Sequence, residues 1–450
     1  MFTSKLDKLK PFKHGQALIL AVDQALRDAM PQPAVAKALG QLPDYQGRLY
    51  LLAVGKAAWS MAEAGVEILG EKLARGLVIT KYGHSRGPIQ HCDIYEAGHP
   101  LPDQNSIKAT QKAIELADRL EEGDLLVFLL SGGGSALFES PYIPLEDLQE
   151  VNRQLLASGA DIVSVNTIRK RLSRVKAGRF AERCQPAQIY SVILSDVLGD
   201  PLDSIASGPT APDSWTAGDA LRLVEDWNLK FSDEILALLK KETPKKLDNV
   251  KTVVSGSVSQ LCRSAAKVLS QYGYETSILT DRLDCEAAEA GRFLGAIARS
   301  WSTQKRDQYG TAKDRNGDQS LGRGKRAFIL GGETSVTLKG KGLGGRNQEL
   351  VLAAAPYLKE SPDTLLISLG SDGTDGPTDA AGAFATPETI KKLEEAGISW
   401  QQALANNDSY HAFQAINSLI ITGPTGTNVN DLTILLMGDE GQNSSHVESN

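Results

Sequence analysis

Several short stretches of this chain set ionisable or hydroxyl side chains beside glycines, each directly after a run that reads as a buried strand. The most conspicuous is Ser131-Gly132-Gly133-Gly134-Ser135, where the uninterrupted apolar run Leu125–Leu130 stops. Consecutive glycines without Cβ atoms let backbone N–H groups converge on one spot between small hydroxyls. That is a cradle for an anion, and the plainer reading is a tight turn. Gly55-Lys56 follows another strand and opens a helical pattern through Leu69, putting a cation beside a positive helix end. A surface lysine opening a helix would look the same. Asp196 follows the strand Ile189–Leu194, where a carboxylate holds magnesium, takes a proton or simply caps a turn. Asp372 and Asp375 lie in Gly370-Ser-Asp-Gly-Thr-Asp-Gly, and Arg346 closes the loop Lys339–Gly345. Donors for phosphates, carboxylates for a divalent cation and cations for developing charge are together what phosphoryl transfer from a nucleotide requires.

The chain has no Walker A loop: none of the Gly-Lys pairs 55–56, 324–325 and 340–341 is followed by Ser or Thr. Any kinase here is outside the P-loop class. A rival pattern is Gly340, Gly342 and Gly345, which spell GxGxxG between an expected strand, Ser335–Leu338, and a helix. It would suit a nicotinamide-linked reductase. Its expected acidic partner comes too late, at Asp372, and Arg346-Asn347-Gln348-Glu349 is very polar where such a helix begins to pack. Between Arg169 and Arg179 lie six cations (Arg169, Lys170, Arg171, Arg174, Lys176, Arg179), a clamp for carboxylate or phosphate or else a solvated face. His99, in the turn Gly98–Asp103, reads as structural.

The elements that must position these groups alternate between strand and helix, which predicts α/β architecture with parallel sheets. At 450 residues, 41% hydrophobic and 23% charged, the chain suits two or three globular domains. A net charge of −7 offers nothing to nucleic acid and leaves anionic substrates to local cations. Cys92, Cys184, Cys262 and Cys285 are scattered and form no CxxC pair, so reduced, buried thiols of a cytosolic protein are expected. Asp7 and Asp23 break any leader-like apolar stretch, and no run is long enough to span a bilayer. Helices are expected over 15–30 and 33–40, a linker or domain edge at Lys240–Val250, and a second α/β alternation from Thr252–Ser255. Residues 302–326 read as a flexible polar loop.

Long motifs then point to a family. GGETSVTLKGKGLGGRNQEL, SDGTDGPTDAAGA and TGPTGTNVNDL resemble the MOFRL domain of class II glycerate kinases. VGKAAWSMA, GHPLPD, LSGGGSALF, VNTIRKRLSRVKAG and the stretch from LSDVLGD to SGPTAPD are similar to that family's N-terminal domain. The resemblance implies a Rossmann-like, three-layer N-terminal domain over 1–245 and a C-terminal α/β domain over 246–450. The MOFRL region would cover about 327–437, and a cleft between the domains would hold the site. It implies ATP- and Mg²⁺-dependent phosphorylation of D-glycerate, usually to 2-phosphoglycerate, by a cytoplasmic monomer or homodimer without nucleic-acid or membrane partners. Lys56, Arg346 and Asp196 would be catalytic. Ser131, Gly132, Gly133, Gly134, Ser135, Lys176, Glu333 and Asn347 would bind substrate or phosphate, and Asp372 and Asp375 the metal. Gly134 and Ala177 depart from the family pattern, each small for small. The family has also carried the label hydroxypyruvate reductase, which coincides with the GxGxxG reading. A non-catalytic sugar-acid sensor would not need so many carboxylates beside glycine turns.

Overall fold

The computed structural model describes residues 2–195, 199, 201–311 and 324–438. The chain divides into two compact units, one comprising residues 30–257 and the other residues up to 29 together with those from 258 onward.

The 30–257 unit is built on six parallel strands: β1 (Leu49–Val54), β2 (Leu73–Lys81), β3 (Cys92–Ala97), β4 (Leu125–Ser131), β5 (Gln188–Leu194) and β6 (Val250–Gly256). Their order is β3-β2-β1-β4-β5-β6, the Rossmann arrangement. β1 and β4 are buried along their whole lengths, as their uninterrupted apolar runs demand. Leu52, Val54, Phe128, Leu130, Phe138 and Phe180 share one core cluster. From β1 the chain winds outward through β2 and β3, then returns to lay β4 on the other side of β1. The carboxyl ends of β1 and β4 are therefore the switch point at which open α/β sheets leave a crevice.

The other unit also carries six strands: β7 (Tyr274–Leu283), β8 (Lys325–Gly332), β9 (Thr364–Gly370), β10 (Gly382–Ala385), β11 (Leu419–Ile420) and β12 (Asp431–Met437). Their order is β11-β10-β9-β12-β8-β7, and only β7 and β8 run parallel. The expectation of a parallel sheet is thus corrected for this unit. β9 and β12 are buried on both faces, and a continuous apolar run fixes burial without fixing strand direction.

Five further expectations are revised. β6 pairs with β5 from Ile189↔Val250 to Leu194↔Gly256, so Thr252–Ser255 completes the first sheet and does not begin a second alternation. The N-terminal segment belongs with the second unit: helix Gly15–Asp28 packs on helix Val258–Gln271, and the Lys8 ammonium donates to the Leu419 carbonyl. The boundary near 245 therefore moves to 257, with an exchange of the first 29 residues. Helix Ala287–Thr311 runs through the start of the supposed 302–326 loop, β8 begins at Lys325, and residues 312–323 lie outside the described residues. Ser335 makes only an isolated bridge to Glu286, so Ser335–Leu338 is not a strand. Of the thiols, Cys184 and Cys262 are buried, whereas Cys285 is exposed, contrary to expectation.

Candidate active site

At the switch point, Gly55 and Lys56 leave β1 beside the glycine loop that leaves β4. The Lys56 amide donates to the Gly132 carbonyl at 2.9 Å, and the Ala57 amide to Ser131 Oγ at 3.1 Å, locking the two turns together. Gly133 has φ +87°, and an added Cβ would lie 3.2 Å from Lys56 Cγ and 3.1 Å from His99 Cδ2. Glycine is needed there for its backbone angle and for this close approach. Gly134 begins the single helical turn Gly134–Leu137, and Ser135 Oγ lies 3.0 Å from Ser207 Oγ. Lys56 and His99 are half-buried. Burial first, then the charge of Lys56, push the His99 pKa down, so His99 stands neutral beside the lysine. Sequence reasoning passed over His99 because the proximity depends on β1, β4 and the Gly98–Asp103 turn converging.

The basic segment spreads its charges over separate tasks. The Lys176 ammonium is fully buried, paired with Glu139 and donating to the Ser135 carbonyl at 2.7 Å. Desolvation lowers its pKa, offset in part by the Glu139 charge. Lys176 thus braces the glycine loop from beneath and has no surface to offer a ligand, which revises its expected binding role. Arg171 is buried against Asp213 and the Trp215 carbonyl. Asp196 lies outside the described residues.

In the second unit, β12 runs antiparallel between β8 and β9, so Asp431 at its start pairs with Gly332 and Gly370 at their ends. Glu333 follows Gly332 directly, and Asp372 lies two residues beyond Gly370. Arg346, the first residue of helix Arg346–Leu358, forks onto Asp431 through Nε at 2.5 Å and Nη2 at 3.0 Å. Its Nη1 reaches Glu333 Oε1 at 3.0 Å. Burial alone would lower the Arg346 pKa, but the bonds to Asp431 outweigh it and the guanidinium stays charged. Burial pushes the Asp431 carboxyl up to about 6 against the pull of Arg346. Asp431 was absent from the expected site, although Asp431 follows the polar turn Thr422–Asn430 and a half-buried arginine calls for a counter-charge.

Asp375 and Asn347 turn out to be internal. Asp375 Oδ1 accepts from the Asn347 amide at 3.0 Å and Oδ2 from the Gln348 amide at 2.9 Å, capping the helix that begins at Arg346. Burial raises its pKa, and those amides counter the shift. Asn347 is buried, donating to Asp375 and accepting from Ser368 Oγ at 2.5 Å. In the structure the Asp375 side chain acts as a helix cap and that of Asn347 as its support. Asp372 is only half-buried, with Oδ1 oriented by the Thr374 amide at 2.9 Å, and it fits a metal carried with its own waters and phosphates. No cluster of three or more metal-ligating side chains occurs among the described residues. The amides of residues 339–343 in and before the GxGxxG loop are spent: Lys339 and Gly340 donate to Asn407 Oδ1, Lys341 to Asn406 Oδ1, Gly342 to the Asn406 carbonyl and Leu343 to Asp408 Oδ1. Its glycines serve close packing on residues 406–409 and on Asp375.

A six-stranded parallel sheet with a lysine and a glycine loop at its switch point, in one chain with an arginine and carboxylates at the ends of the central strands of a mainly antiparallel sheet, suits an α/β kinase. The description of a domain of unknown function, DUF4147, matches residues 17–240, and that of the MOFRL family matches residues 326–431. A D-glycerate 2-kinase from Thermotoga maritima is 48% identical over 418 residues, covering 92% of this chain and 96% of that protein. A glycerate 2-kinase from Pyrococcus horikoshii is 37% identical over 439 residues, with the same coverage. A relative from Agrobacterium vitis, 38% identical over 433 residues and 94% of each chain, carries a hydroxypyruvate reductase name. The crystal structure of the Thermotoga maritima glycerate kinase aligns with a TM-score of 0.86 over 94% of this chain and 99% of its own. The chain belongs to the class II glycerate kinase family and is a kinase. No helix among its described residues is long and apolar enough to cross a membrane.

Proposed function

We propose that the protein phosphorylates D-glycerate, using ATP and Mg²⁺, to give 2-phosphoglycerate in the cytoplasm. The observation that carries the reading is the meeting of Lys56 with the Ser131–Ser135 loop at the switch point, where the Lys56 side chain flanks Gly133. The first N–H groups of a helical turn have no partner within that turn, which suits the loop to phosphate oxygens. Lys56 neutralises charge on the transferring group, and Arg346, held in one orientation by Asp431, supplies a second cation. Asp372 is the carboxylate that would hold Mg²⁺, which would supply positive charge against the phosphates. Asp196 is proposed to take the hydroxyl proton.

The hydroxypyruvate reductase reading, favoured by the names of two relatives, would need free loop amides for a pyrophosphate. In this chain residues 406–408 occupy the amides of positions 339–343. Purified protein with ATP, Mg²⁺ and D-glycerate should form ADP and a 2-phosphoglycerate signal in the phosphorus NMR spectrum. EDTA should stop the reaction and excess Mg²⁺ restore it. Oxidation of reduced nicotinamide cofactor with hydroxypyruvate, without ADP formation in the kinase assay, would reverse the assignment.

A further inference from the structure

Five of the six cations between Arg169 and Arg179 have partners. Lys170 reaches Asp203 and Asp213, and Arg171 reaches Asp213. Arg174 lies over the Tyr142 ring at 4.4 Å, Lys176 is paired with Glu139, and Arg179 donates to the Lys170 and Ser173 carbonyls. Arg169 differs. Its side chain makes no hydrogen bond or ion pair among the described residues; its Nε is unpartnered like that of Arg171, but Arg171 bonds through both Nη atoms, and Arg169 as a whole remains only half-buried. Its charge interacts with that of Glu139, which is 1% exposed and whose Oε1 also lacks a partner. The charge of Lys176, whose ammonium bonds the Ser135 carbonyl, interacts with both. Buried donors and acceptors left unmade are uncommon in folded proteins, and each calls for an explanation such as strain, a catalytic role or a bound water or ion. Two cations and one carboxylate leave this cluster at +1, a match for a single carboxylate and a poor match for a triphosphate.

We propose that Arg169 receives the carboxylate of the sugar-acid substrate beside the glycine loop, its planar fork meeting a planar oxyanion. The proposal rests on the glycerate kinase reading and narrows it: Lys176 braces the loop, and Arg169 recognises the acid.

Steady-state kinetics with D-glycerate, ATP and the uncharged analogue D-glyceramide test this in the full-length protein. Arg169→Met should raise KM for glycerate about 10- to 100-fold, leaving kcat and KM for ATP within about threefold. The preference for glycerate over glyceramide, as a ratio of kcat/KM values, should fall by a similar factor. Arg169→Lys, which keeps the charge without the fork and guards against misfolding of the Met variant, should fall between the two. An unchanged glycerate KM and an unchanged preference in both variants, with wild-type turnover intact, would overturn the assignment alone. A rise in KM for ATP instead would move Arg169 to the nucleotide and overturn it equally. Absence of glycerate turnover in the wild type would bring down the kinase reading and this inference with it.

Discussion

Arg346 and Asp431 form the most sharply defined charge pair of the candidate site, and their chemistry is open to direct test. Lys56→Ala should lower kcat about 100- to 1,000-fold with Tm unchanged, because Lys56 is only half-buried and braces nothing through its ammonium. Arg346→Ala should lower kcat as far but also lower Tm, since it strands Asp431 in a buried position. Adding Asp431→Asn to Arg346→Ala should recover Tm without recovering turnover; recovery of turnover would remove Arg346 from the chemistry. The Asp431 carboxyl, raised to about 6, also sets a pH limb. As pH falls through about 6 it gains a proton and loosens its hold on Arg346, so kcat should fall on the acid side. In Asp431→Asn that limb should vanish. For stability the sign is opposite. An unfolded aspartate titrates near 3.9, so between about 4 and 6 the folded state holds the extra proton, and this group weakens the fold as pH rises.

At the scale of elements, what matters is how strand ends and helix starts are locked. Helix Arg346–Leu358 presents Arg346 at its first position only because Asp375 satisfies the amides of Asn347 and Gln348. Asp375→Ala leaves those buried donors unmade, at a cost of about 2 kcal/mol. For a domain of this size a Tm drop of about 4–8 °C should follow in a calorimetric scan. Turnover should fall with it as Arg346 loses its platform, and an unaltered Tm would show that the cap is dispensable. Most of these elements were legible, since the runs at Leu49–Val54, Leu125–Ser131 and Asp431–Met437 are apolar and end at glycine or at a polar turn. Others were not. β3, with its mixed burial, and the short β10 give no periodic signal of their own, and Ser335–Leu338 looked like a strand yet only bridges Glu286.

Across the whole molecule, the division into units departs most from the linear order of the chain. Residues up to 29 complete the antiparallel-sheet unit: the Phe2 amide donates to Asp23, and the His14 ring contacts the Tyr274 hydroxyl and the Asp363 carbonyl. Ser264 Oγ donates to Asp28 and Thr427 Oγ1 to the Ala29 carbonyl. Deleting residues 1–29 should therefore reduce amide protection across 258–437 in hydrogen-exchange mass spectrometry, while the strands from Leu49 to Gly256 keep theirs. Loss of protection confined to the parallel sheet would contradict this partition.

The residues alone established an α/β chain outside the P-loop class, the strand-end positions of Lys56, Ser131–Ser135 and Asp372, the loop-to-helix position of Arg346, and, through long motifs, the family. Local pattern reaches that far because burial and turn chemistry are decided within a few neighbours. Tertiary structure decided the rest: that β12 runs antiparallel and delivers Asp431 to Arg346, that Asp375, Asn347 and Lys176 are consumed internally, and that Arg169 is left with an unmade bond. Those outcomes depend on which distant atoms come within about 3 Å of one another, a matter of strand order and direction that no local spacing encodes.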